Sequence, residues 1–387
     1  MQHGLLAPSG ETDHTLVVVF LRGGADGLSM VVPVEDDAYY RQRGHIGIDR
    51  GGTERLDDVF GLHSAMAPLM PVYHDGALAI IHQAGSEDQT RSHFEAQDFM
   101  EHGGHAVGGW LARYLRAALD QAGPLSAVAL AKTQPEVLRG APASVVLESF
   151  DTFDFGASAP GFFDALATLY DASRDALGAA GRDMLQAMRR LETLREADYR
   201  PEHGAVYGEN GFARGLRQAA QLIRADVGVR AVSLDLSGWD SHFAQGPLIT
   251  PLMARLAGGL DAFRRDLGPG MDHVTVVVMS EFGRRVYENA SFGTDHGRGG
   301  VMFVLGGGVE GGRVIHEWPG LAPEHLEGPG DLPVVFNYRD VLAPILRRHG
   351  GLDDLAPVFP GTVLAPVNLY GNDGTRERQL EGDGRAA

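Results

Sequence analysis

The chain has 387 residues, with 33 basic and 51 acidic side chains, a formal charge of −18 at pH 7 and 44% apolar residues, so it can bury a substantial core and is not globally disordered. It has no cysteine, which removes disulfides, thiol nucleophiles, iron–sulfur clusters and zinc–thiolate sites and leaves histidines and carboxylates as metal ligands. An acidic balance without a basic block argues against nucleic acid as a partner, and the longest uncharged apolar run, residues 16–21, has the length of a strand, which argues against membrane insertion.

Residues 1–14 are polar, contain Gly and Pro and lack both a twin arginine and an apolar signal core, so they read as a short lead-in. Short β-branched runs and helical periodicity then follow in turn. The pattern predicts strands over 16–21 and 78–82, helices over 92–102 and 110–122, a strand over 144–147, and helices over 161–197 and 212–226. It continues with a strand over 231–236, a helix over 251–267, strands over 274–279 and 301–305, and a helix over 339–349. Residues 371–387, charged and Gly-rich, read as a tail. Strand–helix alternation implies a doubly wound α/β fold, a mainly parallel sheet sandwiched by helices. One domain over 15–370 accommodates it, with 161–230 as a helical insertion or crossover, and ligands belong at the carboxyl ends of the strands.

Polar residues at those ends are the informative ones. Strand 16–21 leads into Arg22-Gly23-Gly24-Ala25-Asp26-Gly27, and the strand near Ile80 leads towards Thr90-Arg91-Ser92-His93 at the start of a helix. Strand 231–236 runs into Gly238-Trp239-Asp240-Ser241-His242, and strand 274–279 into Ser280-Glu281-Phe282-Gly283-Arg284, followed by Thr294-Asp295-His296-Gly297-Arg298. Singly, each has an ordinary explanation: Asp26-Gly27 is a turn pair, Ser92 with Glu95 is a capping box, and each arginine is a surface ion pair. A serine at a helix N-terminus is also poised to be ionised, and Asp240 and His242, two apart in an extended segment, point the same way. Together they are the inventory of a metal-assisted displacement, in which the ion lowers the pKa of a bound hydroxyl or water and neutralises a transferring group. Arg22, Arg91, Arg284 and Arg298 could grip a tetrahedral anion, offsetting the global charge.

The segments LVVVFLRGGADGLS, RSHFEAQDFME, GWDSH, SEFGR and TDHGRGG, in that order, resemble the bacterial family called domain of unknown function 1501, which is similar to the alkaline phosphatase and sulfatase superfamily. The resemblance implies an alkaline phosphatase-like sandwich with one or two divalent ions (Zn, Mn, Mg, Ca or Fe) held by Asp26, Ser92, Asp240, His242, Glu281 and His296. It also implies Ser92 as nucleophile, with Thr90 the second choice. Phe282 stands where the superfamily supplies a histidine, so one ion is lost, weaker or differently held, with Asp295 or His93 as substitutes. Formylglycine chemistry is in doubt without Cys.

The expected activity is hydrolysis of a small anionic ester, a phosphate before a sulfate, by Ser92 or a metal-bound water, with Arg91 or Arg22 orienting the anion. A non-catalytic metal-binding or assembly protein on the same fold is the first alternative, and a phosphomutase or transferase the second. The resemblance implies export to the periplasm; the lead-in, lacking a signal, implies the cytoplasm.

Overall fold

Eight consecutive residues, Thr15–Arg22, form the strand β1, and their side chains divide between two cores: Val17, Val19 and Leu21 face one, Leu16, Val18 and Phe20 the other. A strand's side chains alternate in direction, so this division means that both faces of the sheet are covered. The computed structural model describes residues 14–119, 122–150 and 161–371. The lead-in and tail expected at 1–14 and 371–387 lie outside the described residues, apart from His14 and Gly371.

The strands that follow are β2 (Val31–Val32), β3 (Thr53–Arg55), β4 (Gly61–His63), β5 (Leu78–Gly85), β6 (Ala127–Leu130) and β7 (Val145–Leu147). After them come β8 (Ala231–Ser237), β9 (Val274–Met279), β10 (Gly300–Gly306), β11 (Arg313–Ile315) and β12 (Phe336–Asn337). A nine-stranded sheet has the order β11-β5-β10-β9-β1-β8-β6-β7, with β12 beside β5, and β2, β4 and β3 form a small antiparallel sheet. β10 is antiparallel to both β9 and β5, while the remaining pairings of the large sheet are parallel. The expected mainly parallel α/β sheet is therefore present, with one reversed strand.

Two predicted helices differ, and one strand was not predicted. The 161–197 helix is two helices, Phe162–Ala172 and Ala176–Glu196, because Asp175 caps the second by accepting from the Gly178 amide at 2.8 Å. The two fold back on each other at Gly181, where a Cβ would lie 2.3 Å from the Tyr170 ring. The 251–267 helix starts earlier, at Gln245, with Pro251 inside its first two turns. β6, sequence AVAL, buried over Ala127–Ala129 with Leu130 half-buried, is a strand that the pattern did not predict because small side chains concealed it. Among the described residues, no helix is long and apolar enough to cross a membrane.

Two histidines are built into the cores as neutral groups. The Gln83 amide donates to His82 Nδ1 at 3.0 Å, so His82 carries its proton on Nε2, 3.2 Å from the Val31 carbonyl. Burial lowers its pKa to about 3. His349, 2.8 Å from the Thr275 hydroxyl, is likewise lowered to about 3, by burial and then by neighbouring His14 and Arg348.

An unfolded chain takes up a proton on each ring near pH 6.5, whereas the folded chain does so only near 3. Stability conferred by these sites is complete above about pH 6.5 and is lost as the pH falls towards 3. Thermal unfolding followed between pH 7.5 and 4.5 should show a falling Tm, with a shallower slope in His82→Gln and in His349→Gln. Slopes equal to wild type in both variants would contradict this origin.

Candidate metal centre

Because β1, β5, β8 and β9 run the same way, the loops that follow them leave the sheet at one edge. The reversed β10 starts from that edge, so the segment before it, Thr294 to Gly299, arrives there as well. Reversal of a single strand thus adds His296 to a site otherwise made of carboxyl-end loops.

His93, Asp240 and His296 converge there, with one ligand atom from each lying within 4.8 Å of the others. Their outer partners fix the rings. His93 Nδ1 lies 2.8 Å from Glu281 Oε1, and His296 Nδ1 lies 2.8 Å from the Arg91 carbonyl. Both partners only accept, so each Nδ1 carries the proton and each Nε2 of the neutral rings presents a lone pair. His93 Nε2 is buried without a hydrogen-bond partner, 3.4 Å from Asp240 Oδ2, and His296 Nε2 lies 3.3 Å from Asp240 Oδ1. Lone pairs facing a carboxylate repel one another unless a proton or a metal cation stands between them. Bonds of roughly 2.1 Å to a tetrahedral ion separate ligands by about 3.4 Å, so these spacings fit one ion.

The donor set is two imidazoles and a carboxylate, which suits a borderline ion such as Zn2+ better than Ca2+ or Mg2+. Burial favours protonation of Asp240, yet Arg284, donating to Oδ1 at 2.7 Å, prevails and holds that carboxyl at about 2. The Glu281 hydrogen bond raises the basicity of His93, while burial lowers that of His296. Asp240 is 48% exposed, so the centre is open to solvent on one side.

Backbone proximity makes this possible. A Cβ at Gly23 would lie 2.5 Å from the Asp240 amide nitrogen, and one at Gly24 would lie 2.5 Å from the Phe282 ring. Both glycines have positive φ, 118° and 65°, so no other residue fits the turn that brings β1 against the β8 and β9 loops.

The remaining expected residues fall around this core. Glu281 does not face the ion position: Oε1 accepts from the Gly23 amide, Gln97 and His93, so this buried carboxylate orients a ligand. Asp26 is apart from the group. Arg43 takes both its oxygens, at 2.5 and 3.0 Å, with Ser29 and Gln245 adding bonds to Oδ2, all buried. His242 stands at the rim, its Nε2 3.1 Å from Asp240 Oδ1 and 2.9 Å from His296 Nε2, its Nδ1 3.4 Å from Asp295. Ser92 is the N-cap residue of the His93–His102 helix, but its side chain makes no cap hydrogen bond. The capping box expected with Glu95 is replaced by Thr90, whose hydroxyl donates to Glu95 at 2.6 Å.

The arginines expected to grip an anion are occupied. Arg22 binds Asp235, Gln97 and Glu101, and Arg298 binds Glu327 and the Ser86 carbonyl. Arg284 is fully buried. Arg91 donates to Asp331 at 2.6 Å and to the His296 carbonyl at 3.0 Å, so it holds His296 from its side chain as well as its backbone. Phe282 packs its ring 4.9 Å from that of His93 and 4.8 Å from that of His296, forming an apolar wall. Sequence reasoning missed Arg43, Gln97 and Gln245. None lies in a strand-end motif, so only the fold discloses them.

Comparison with known proteins gives two kinds of finding. Among solved structures, the C-terminal periplasmic domain of EcEptC from Escherichia coli, in complex with Zn, is 10% identical, with 77% of this chain and 74% of that chain covered and a TM-score of 0.35. Ps i-CgsB in complex with k-i-k-neocarrahexaose is 11% identical, with 90% and 74% covered and a TM-score of 0.38. No curated protein matches. The family model DUF1501, described as a protein of unknown function, matches residues 13–354, and the chain belongs to that family.

Proposed function

We propose that the chain is a metal-dependent hydrolase of a phosphate ester, with a sulfate ester second in order, on an alkaline phosphatase-like sandwich. The observation that carries this reading is the convergence of His93 Nε2, His296 Nε2 and the Asp240 carboxylate on one solvent-open point, each fixed from behind. A divalent ion held there lowers the pKa of a hydroxyl or water and draws charge from the oxygens of a transferring group. Three protein ligands with an open side is the arrangement of catalytic rather than structural sites.

The chain's own residues then divide the work. Glu281 and the Arg91 carbonyl keep both imidazoles in the ligating tautomer, and Arg284 keeps Asp240 ionised. Ser92 has a hydroxyl unused by the helix it caps, beside the unpaired amides of the first turn, which favour negative charge. Its Oγ bonds to the tetrahedral centre as the bond to the leaving oxygen breaks, with its proton passing through water to the leaving oxygen. A second water then releases the group and restores the hydroxyl.

A non-catalytic metal-binding protein is the second reading. Its support is that Arg22, Arg91 and Arg284 are all engaged with carboxylates or carbonyls, and that Phe282 and the Arg43–Asp26 pair leave a single ligand group among the described residues.

Chelator-stripped protein titrated with Zn2+ or Mn2+ should take up one equivalent per chain. Glu281→Gln should weaken uptake by about 10–100-fold, and His93→Ala or Asp240→Ala should abolish it; uptake unaltered in Asp240→Ala would place the ion elsewhere. With 4-nitrophenyl phosphate, Ser92→Ala should lose turnover while retaining metal, and Asp240→Ala should lose both. Full activity in Ser92→Ala would remove the serine from the reaction, and a metal-replete wild type inert towards phosphate and sulfate esters would favour the binding protein.

A further inference from the structure

A cleft of about 890 Å3 opens at the same sheet edge, lined by residues at the ends of β1, β6, β7 and β8 and by the start of the Gly211–Arg224 helix. It lies within the size range of small-molecule sites. Two features make it continuous with the metal centre. Gln97 lines the cleft and donates to Glu281, the carboxylate that holds His93. Ser237, also on its wall, begins the turn that delivers Asp240.

Two of its three cations are paired. Arg22 pairs with Asp235 at 2.6 Å and with Glu101 at 3.0 Å, and Lys132, the only lysine in the chain, faces Glu148 at 3.5 Å. Arg214, on the wall and exposed, has no ion pair or hydrogen bond from its side chain among the described residues. An unpaired guanidinium lining a concave surface of a −18 chain is a local attraction set against the global field. Phe212 and Leu236 supply an apolar surface for a short carbon skeleton.

We propose that the cleft takes the part of the substrate beyond the scissile ester, and that Arg214, with Lys132, recognises a second anionic group there. The substrate class is thus an ester whose leaving portion itself carries a carboxylate or a phosphate. The assignment to a substrate rests on the hydrolase reading; binding of the second anion does not.

The test uses a matched pair of esters, 2-phosphoglycerate and glycerol 2-phosphate, in which a carboxylate replaces a hydroxymethyl group. Calorimetric titration of metal-loaded wild type should give an affinity about tenfold higher for phosphoglycerate, the equivalent of one good charge-assisted contact. In Arg214→Gln the ratio of the two affinities should fall to about one, and in Lys132→Gln part of the way. Loss of fold would weaken both esters alike, so the ratio reports the contact. Equal affinities in wild type, binding of neither ester, or a preference that survives Arg214→Gln would overturn the proposal. Turnover of the same esters is read separately: phosphoglycerate held through Arg214 but never hydrolysed keeps the cleft and sinks the hydrolase reading.

Discussion

The guanidinium of Arg284, wholly buried, is the tie on which the centre depends. It donates to the carbonyls of Gly23, Gly24, Trp239 and Thr294 at 2.5–3.2 Å and to Asp240 at 2.7 Å. Those partners lie in the loops after β1 and β8 and in the segment before β10, while Arg284 itself follows β9. One planar group therefore sets the spacing of four chain segments that the sheet alone brings only to a common edge. Leaving buried acceptors without a donor costs about 1–3 kcal/mol each, so the loops hold their positions only with this fork in place. A lysine has one nitrogen and cannot reproduce the five directions.

A second buried guanidinium does something different a short way along the same edge. Arg43 and Asp26 form a fully buried pair joined by Ser29 and Gln245, and Gln245 in turn accepts from Thr294 at 2.6 Å. Burial favours a protonated Asp26, yet the Arg43 charge prevails and keeps the carboxyl below its ordinary range. A buried pair of this kind adds little net stability, since desolvation offsets attraction, but it tolerates only one geometry. Through Thr294 that geometry reaches the segment carrying His296. The carboxylate that the resemblance assigns to an ion is neutralised here by a fixed side chain, and its contribution to the site is positional.

Legibility in the sequence followed the physics of each signal. Continuous β-branched runs disclosed β1, β5, β8, β9 and β10 because strands buried on both faces have few alternatives. The direction of β10 was not readable, since VMFVL has the same apolar pattern in either sense, and it is this direction that brings His296 to the edge. Asp240 and His296 were identified from their place beside strands. Yet the third member of the cluster, His93, was only a substitute, because its nearness to Asp240 depends on where the fold places the His93–His102 helix. For Arg22, Arg91 and Arg298 the ordinary explanation, an ion pair, describes the fold. Composition says how many arginines lie near a site; which acid each one meets depends on contacts between residues far apart in the chain.

Charge accounting relates the acidic composition to the proposed ion. At the centre, Asp240 and Glu281 contribute −2 and Arg284 +1, so with both imidazoles neutral, the state in which they ligate, the side chains sum to −1. A divalent ion reverses that sign to +1. Charges more than about 10 Å away are largely screened at physiological salt, so the −18 of the whole molecule matters less than this local balance. Since the neighbouring arginines are already paired, the proposed reading assigns attraction for an anion to the ion, the first turn of the His93–His102 helix and Arg214 in the adjoining cleft. On the proposed reading, an ion at the cluster reverses the sign of the charge that an anionic ester meets there.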